Sequence, residues 1–594
     1  MIKAPYITEK QMHLLKKLSP EQYEMVIEKN RVIVMPDGIR LKADVYRPKC
    51  DEMVPALVGW SPYGKDVQAI GLERKPLRLG QVMFDQTIEI GCIDYFVNRG
   101  YAVVIPSPRG VSTSEGVFTG LLSPQDQEDC CESIEWVAKQ SWCSGDVGMI
   151  GVGFAGKIQP LVATRKPPHL KAIMPVELTD DLYRECYWGG CITDHNFYYA
   201  GLVPAINPIP QAELDNTEED LKQMLKECRE IPEVKVNTYF YRGLDMWPPR
   251  HYTWNIDVLL HPESGKFWDD RSIVNKYENI DIPVYAVSPY YEFGRNTVSA
   301  INAFNSDKLN VPKKLMLSQH ATQKRSPETL TNLETLRWYD HWLKGIDTGI
   351  MDEPNIKVYV LGEEKFRYEN EWPLMRTQWI KGYLGSNGSL NFEMETENSD
   401  PDELYHQPPT KVDQEFDDTP ALQYITETFD KDFEVTGPLS ITLYASMDVD
   451  DGNFIAKMWD VDENGNKIHL ASGFLRATHR GLIEGTKDWE VVNDLDNIYP
   501  VNEGEIYEYK FEMAPVSNVF KVGHKMQIEV KTIDKRSIVP DETTSFAMLY
   551  PSSRVDGIQA STRFTNYKLY HSKKYPSCIH LPVVPVTPEE NWIK

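Results

Sequence analysis

The stretch Val147-Gly148-Met149-Ile150-Gly151-Val152-Gly153-Phe154-Ala155-Gly156 leaves the backbone few choices. An apolar run enters a turn made of small residues, and a helical pattern begins near Lys157. A strand–turn–helix of this kind lifts the apex side chain clear of the sheet, beside the N–H groups that open the helix. Where such a turn carries nucleophilic chemistry, the pattern approximates G-x-S-x-G and the apex serine attacks the substrate. Here the apex is Gly153. The turn is present and the nucleophile is not.

The surrounding pattern sets the fold class. Arg31–Met35 and Leu41–Tyr46 read as strands joined by an Asp37-Gly38 hairpin turn. Ala56–Trp60, Tyr101–Ile105, Ile282–Val287 and Lys314–Leu317 are short apolar runs suited to strands buried on both faces. Helical patterns such as Glu128–Lys139 and Glu328–Leu343 lie between or after them, which predicts an α/β core with a mostly parallel sheet. With 594 residues the chain exceeds one core and divides into several domains. Residues 1–30 are expected to form a helical arm around Met12, Leu14, Leu15 and Leu18, with Ser19-Pro20-Glu21 opening a second helical turn. The core is expected over 31–175 and 277–345, interrupted at 176–276 by a Tyr-, Trp- and Pro-rich helical cap containing a helix over Ala212–Glu230. From 346 to 594 the pattern becomes β-rich and reads as a jelly-roll sandwich. Its expected strands include Ile356–Leu361, Leu439–Tyr444 and Met526–Val530, with Asn-Gly turns at 386–388 and 463–466.

Charge and cysteine content remove several function classes. The net charge of −25 opposes nucleic acid and anionic membrane surfaces, both of which need a basic footprint. Nine cysteines, an odd number without CxxC spacing, match neither a zinc site nor a secreted disulfide framework. Asp448, Asp450 and Asp451 lack calcium-loop spacing and read as a solvated hairpin tip. No metal or other cofactor is expected. The Met1–Tyr6 start has no apolar leader and no run reaches the length of a membrane span, so the expected location is cytoplasmic. A small-molecule substrate is the expected partner, and a homodimer stays open.

Pieces spread along the chain carry a family resemblance. They include Asp44-Val45-Tyr46-Arg47-Pro48, Ser61-Pro62-Tyr63-Gly64-Lys65, Ser114-Glu115-Gly116, Ile134-Glu135-Trp136 and Phe267-Trp268-Asp269-Asp270-Arg271-Ser272. The most specific is Tyr339-Asp340-His341-Trp342-Leu343-Lys344-Gly345 with Glu371-Trp372-Pro373 after it. Leu475–Arg480 and Ser517–His524 continue the match in the β-rich part. In their order and number these pieces resemble the cocaine esterase, glutaryl acylase and X-Pro dipeptidyl-peptidase (CocE/NonD) group of serine hydrolases.

The resemblance implies an α/β-hydrolase core, a helical cap, a C-terminal jelly roll and a Ser-Asp-His triad. It also implies an oxyanion hole formed by a tyrosine hydroxyl, matched by Tyr63, and by the N–H after the apex, that of Phe154. His320 matches the histidine. The acid position, set from Arg295-Asn296, falls on Tyr291, with Glu292 beside it as a displaced acid. The serine position is Gly153. Cap residues Tyr183, Tyr187, Trp188, Phe197, Tyr198 and Tyr199 are expected to line a pocket for a bulky, partly apolar molecule. The Asp194-His195 pair in the cap also invites a dyad reading, although sequence neighbours often point apart.

Three functional readings stay open. One is carbonyl chemistry without an acyl-enzyme, on an ester, lactone, amide or ketone, through the oxyanion hole and His320: cyclisation, lactonisation, isomerisation, C–C cleavage or water-mediated hydrolysis. The second is a catalytically inactive pseudo-hydrolase that binds a ligand or partner. The third is an ordinary serine hydrolase whose serine has been exchanged for glycine.

Overall fold

In a computed structural model, the described residues are 17–68, 87, 89–192, 218–231, 254–290, 295–318, 328–394, 400–406, 420–532, 536–537, 554–555, 563–585, 587 and 592. The first twelve strands are β1 (Met25–Val34), β2 (Arg40–Pro48), β3 (Val54–Val58), β4 (Ala102–Pro106), β5 (Cys143–Met149), β6 (Leu170–Ile173), β7 (Tyr187–Trp188), β8 (Cys191–Ile192), β9 (Val284–Pro289), β10 (Lys313–Ser318), β11 (Ile356–Val360) and β12 (Lys365–Glu369). All but β7 and β8 form one ten-stranded sheet, ordered β1-β2-β4-β3-β5-β6-β9-β10-β11-β12. From β4 to β11 neighbouring strands run parallel, and antiparallel pairs close both edges. Every residue of β3, β4 and β9 is buried, as strands covered by helices on both faces require.

Two expectations change. Residues 25–30, assigned to a helical arm, begin β1, and 19–21 form no helical turn. The β-branched run Val26-Ile27 and Val32-Ile33-Val34 favours a strand, and a bulge between Glu28 and Arg31 absorbs the polar interruption. At that bulge Asn30 takes φ +57° and donates its N–H to the buried Asp44 carboxylate at 2.9 Å. Of the arm's apolar residues, Met12, Leu14 and Leu15 lie outside the described residues.

The second change concerns Ile356–Leu361, expected in the sandwich. Ile356–Val360 is β11, parallel to β10, reached through the long helix Glu328–Lys344 as a strand–helix–strand crossover. All five residues are buried, as they are in β3, β4 and β9 of the same sheet. The α/β sheet therefore extends through β12, past residue 345.

Between β6 and β9 the described residues hold helices Leu182–Cys186, Glu218–Glu230, Trp254–Leu260 and Lys266–Asp269, and the β7–β8 hairpin. The C-terminal part is two packed antiparallel sheets. One contains Gln378–Leu384, Leu390–Asn391, Asp402–His406, Phe433–Met447, Tyr507–Phe520, Thr565–Tyr570 and Cys578–Val583; the other contains Leu422–Ile425, Asn453–Val461, Lys467–Arg476 and Lys525–Lys531. Leu443, Met458, Phe511 and Ile528 belong to one continuous apolar cluster. At the aspartate-rich tip, Asp450 pairs with Arg563, Asp451 with Arg476 at 2.8 Å, and Asp448 accepts from Asn566. The sandwich is tied to the core by a part-buried ion pair, Arg295 Nε to Glu512 Oε1 at 2.5 Å. No described helix is long and apolar enough to cross a membrane.

Candidate active site

The turn after β5 has the geometry its sequence calls for. Gly153 sits at φ +58°, ψ −125°, and the helix Phe154–Ala163 begins at the next residue, three residues before Lys157. An L side chain at that backbone angle is strained, and glycine is not. Val152 bridges Val176, and Val176 bridges Val287, so the turn is sewn to the segments after β6 and near the end of β9. Gly156 lets the helix approach the Val176 carbonyl closely.

A carboxylate occupies the space where an apex side chain would begin. A Cβ on Gly153 would lie 2.8 Å from Glu89 Oε1, too close to be accommodated without displacement. The same oxygen accepts the Phe154 N–H at 3.1 Å. Glu89 Oε2 accepts the Ser61 hydroxyl at 2.5 Å. Gln68 fixes this arrangement from the side: its Nε2 donates to Ser61 Oγ at 3.1 Å and its Oε1 accepts the Glu89 N–H at 2.9 Å. The Glu89 carbonyl in turn accepts the Val152 N–H at 2.9 Å. Burial pushes the Glu89 carboxyl up to about 7, opposed by the Ser61 hydroxyl and the Phe154 N–H, which favour the ionised form. A carboxyl so placed changes charge near neutrality, at the positive end of a helix.

Other charged groups stand close. Glu177 is buried, and its Oε2 lies 3.7 Å from the same Cβ position on Gly153. Lys157, in the first turn of the helix, is buried and paired with Glu185, which also accepts from Thr179. Its positive charge favours ionised Glu89.

The residues expected at the site divide into three groups. Tyr63 is buried directly before the short helix Gly64–Gln68, and its N–H reaches Ser61 Oγ at 3.3 Å, one residue removed from Glu89. Phe154 is at the turn, and its N–H, expected to serve an oxyanion, donates to Glu89 in this structure. Tyr291, Glu292, His320, Phe197, Tyr198, Tyr199 and Asp194-His195 lie outside the described residues. The strands leading to two of these segments do end side by side, with Ser318 paired to Pro289 and the Tyr290 N–H donating to the Ser318 carbonyl at 3.0 Å.

The cap aromatics form the third group, and the structure gives them a different use. The rings of Tyr183 and Tyr187 lie 5.4 Å apart and both pack on Trp268, while their hydroxyls donate to the carbonyls of Pro262 and Val258 at 3.0 and 2.6 Å. Trp188 packs edge-on against Phe474 of the sandwich, 5.1 Å between ring centres. Close by, the Arg476 N–H donates to the Gly189 carbonyl at 2.8 Å. These three side chains hold the cap together and fasten it to the sandwich. Buried phenols need acceptors, and backbone carbonyls at the helix ends supply them.

Glu89, Ser61, Gln68 and Glu177 were not singled out from sequence. Ser61 belongs to a family motif but gave no sign of its partner. The one usable signal for Glu89 was its setting, Thr87-Ile88-Glu89-Ile90, a lone carboxylate between isoleucines. Among the described residues no group of three or more His, Cys, Asp or Glu is placed to hold a metal ion.

A sheet of parallel strands, a strand–turn–helix elbow and a cap between β6 and β9 define an α/β-hydrolase fold. Residues 37–322 match the X-Pro dipeptidyl-peptidase (S15) family, and residues 348–578 match the X-Pro dipeptidyl-peptidase C-terminal non-catalytic domain. A cocaine esterase from a Rhodococcus species is 26% identical over 94% of this chain and 98% of its own. Among solved structures, a CocE/NonD family hydrolase from Staphylococcus aureus aligns over 94% of both chains with TM-score 0.73 and 23% identity. An aminopeptidase from a marine sediment archaeon of the Thaumarchaeota aligns over 95% of this chain and 97% of its own with TM-score 0.70 and 18% identity; both of these likenesses speak to the fold. The chain belongs to the CocE/NonD and X-Pro dipeptidyl-peptidase-like (S15) hydrolase family.

Proposed function

We propose that this family member acts on a carbonyl compound without forming an acyl-enzyme, using Glu89 as general base where its relatives use an apex serine. The observation that carries the reading is the Glu89 carboxylate seated on the Phe154 N–H above a glycine apex. Covalent acyl transfer needs a side-chain nucleophile, and Gly153 has none. A carboxyl that titrates near 7 is suited to taking and returning a proton at physiological pH. Tyr63 and His320 remain in the reading as a donor to the carbonyl oxygen and a second proton carrier, on the strength of their motif positions. The substrate is an ester, lactone, amide or ketone of a bulky small molecule.

The glycine also argues against a serine simply lost from an otherwise intact triad. A serine Cβ at 153 would meet the Glu89 carboxylate at 2.8 Å, so the glycine and the glutamate fit each other. A second reading, a pseudo-hydrolase that binds a ligand or partner, is favoured by one specific fact: the N–H an oxyanion requires is occupied.

The test is a panel of activated esters, lactones and ketones run beside a fluorophosphonate probe. The reading expects turnover without labelling, reduced about 100-fold or more in Glu89→Gln, as for loss of a general base. Labelling of the unaltered chain, or equal turnover by the variant, contradicts it. Absence of turnover across the panel, with saturable binding of one of its members, selects the second reading.

A further inference from the structure

Glu177 is the group nearest the elbow for which the reading above has no role. It follows β6, and its backbone N–H donates to the Val287 carbonyl at 2.8 Å, which holds it against β9. Its φ is +65°, in the left-handed region where a non-glycine residue is strained. That strain places a buried carboxylate toward the apex: Glu177 Oε2 and Glu89 Oε1 lie 3.7 and 2.8 Å from the single point where a Gly153 side chain would begin. An apex side chain in this fold points into the active site. Two carboxylates therefore converge on the space that the serine hydroxymethyl fills elsewhere in the family.

The fixed donor of the site is also committed. With the Phe154 N–H bound to Glu89, negative charge building on a substrate oxygen lacks its backbone stabiliser, and neutralising it calls for a proton. Among the described residues Lys157, paired with Glu185, is a further charge that acts on Glu89, and it favours the ionised form.

Resting on the reading of Glu89 as base, we propose that Glu177 is its acid partner, that the two carboxyls share one proton, and that the substrate is a carbonyl compound with an acidic C–H beside the carbonyl. In the step this pair performs, ionised Glu89 takes the proton from that carbon. The C–H electron pair becomes the new C=C bond, and the carbonyl π pair takes the proton of Glu177. A neutral enol results, the two carboxyls having exchanged protonation states. Return of a proton to a different carbon of a conjugated enol completes an isomerisation, and no further reactant is consumed.

Two variants keep the test independent of folding. Glu177→Gln removes the charge, and Glu177→Gly removes the carboxylate while relieving the left-handed strain. The Phe154 amide resonance reports the charge on Glu89. In the unaltered chain it is expected to titrate near pH 7, and in both variants the midpoint is expected to fall by about one unit, since a neighbouring like charge is lost. An unchanged midpoint overturns the pairing and leaves the role of Glu89 standing; an amide that does not titrate even in the unaltered chain overturns the Glu89 reading itself. Exchange of the α-protons of 2-phenylcyclohexanone in D2O reads the step directly. It is expected in the unaltered chain and should drop about 100-fold in Glu177→Gly. No exchange above background overturns the enolisation step. Full exchange by a stable Glu177→Gly chain overturns the acid role, since a merely structural Glu177 is improved by glycine.

Discussion

The elbow and the cap make opposite uses of what the family pattern supplies. At the elbow the strand–turn–helix path is kept while the decisive side chain is gone, and its space is taken by Glu89 from a segment 64 residues earlier in the chain. In the cap the aromatic side chains are all present, yet Tyr183, Tyr187 and Trp188 serve packing. Burial holds the Tyr183 hydroxyl in its neutral, donating form, raising it to about 12. The difference teaches that a motif's spacing specifies a path for the main chain. Which side chains meet along that path is decided by residues far away in sequence.

Removing a cap aromatic is the largest blow on that side. Trp188→Ala is expected to cost about 3–5 kcal/mol, because it opens a cavity against Phe474 at the cap–sandwich contact. Denaturant unfolding measures it, and a loss below about 1 kcal/mol returns Trp188 to the pocket-lining role.

The elbow carries the next effect. Glu89 has a folded-state value of about 7 against an ordinary 4.5, so the folded chain binds the extra proton between those two values. Its contribution to stability is complete below pH 4.5, falls as pH rises and is gone above 7. Neutral Glu89→Gln escapes that loss and should exceed the parent by roughly 2–4 kcal/mol at pH 8, with no such gain at pH 4. A pH series of melting curves decides it; equal gains at both pH values rule out the titration.

Restoring a side chain at the apex should be somewhat milder. Gly153→Ser is expected to destabilise by about 1–3 kcal/mol, from φ +58° and the approach to Glu89, and to stay unlabelled by fluorophosphonate. Adding Glu89→Ala should recover part of the stability. A single Gly153→Ser chain that labels freely contradicts the fit between glycine and carboxylate. The smallest effect belongs to Tyr187→Phe. It should cost about 1 kcal/mol for the lost bond to the Val258 carbonyl, read by thermal melting.

Much of the fold was legible. Apolar runs flanked by helical patterns located β3, β4, β9 and β10 to within two residues, whereas the four-residue β6 was not picked out, and the Asn-Gly turns expected at 386–388 and 463–466 lie between paired antiparallel strands. The strand Met25–Val34 was half missed, because Glu28-Lys29-Asn30 breaks its alternation and only the pairing with β2 shows how a bulge absorbs them. β11 was given to the wrong sheet, since a buried five-residue run looks alike in a sandwich and in a parallel sheet until the helix before it is seen to cross over. At the site, the glycine apex and Tyr63 were readable from motif spacing. Glu89 and Glu177 were not, since both depend on the register of distant segments brought together by the Val152–Val176–Val287 bridges and the Glu89 carbonyl.

The most direct test of the central claim follows the backbone amide of Phe154 by nitrogen–proton NMR from pH 5 to 9, in the parent and in Glu89→Gln. A carboxylate seated on that N–H predicts a titration with midpoint near 7 in the parent and a flat line in the variant. A Phe154 amide that is flat in the parent, or that titrates equally in both, means that Glu89 does not hold the place of the missing nucleophile.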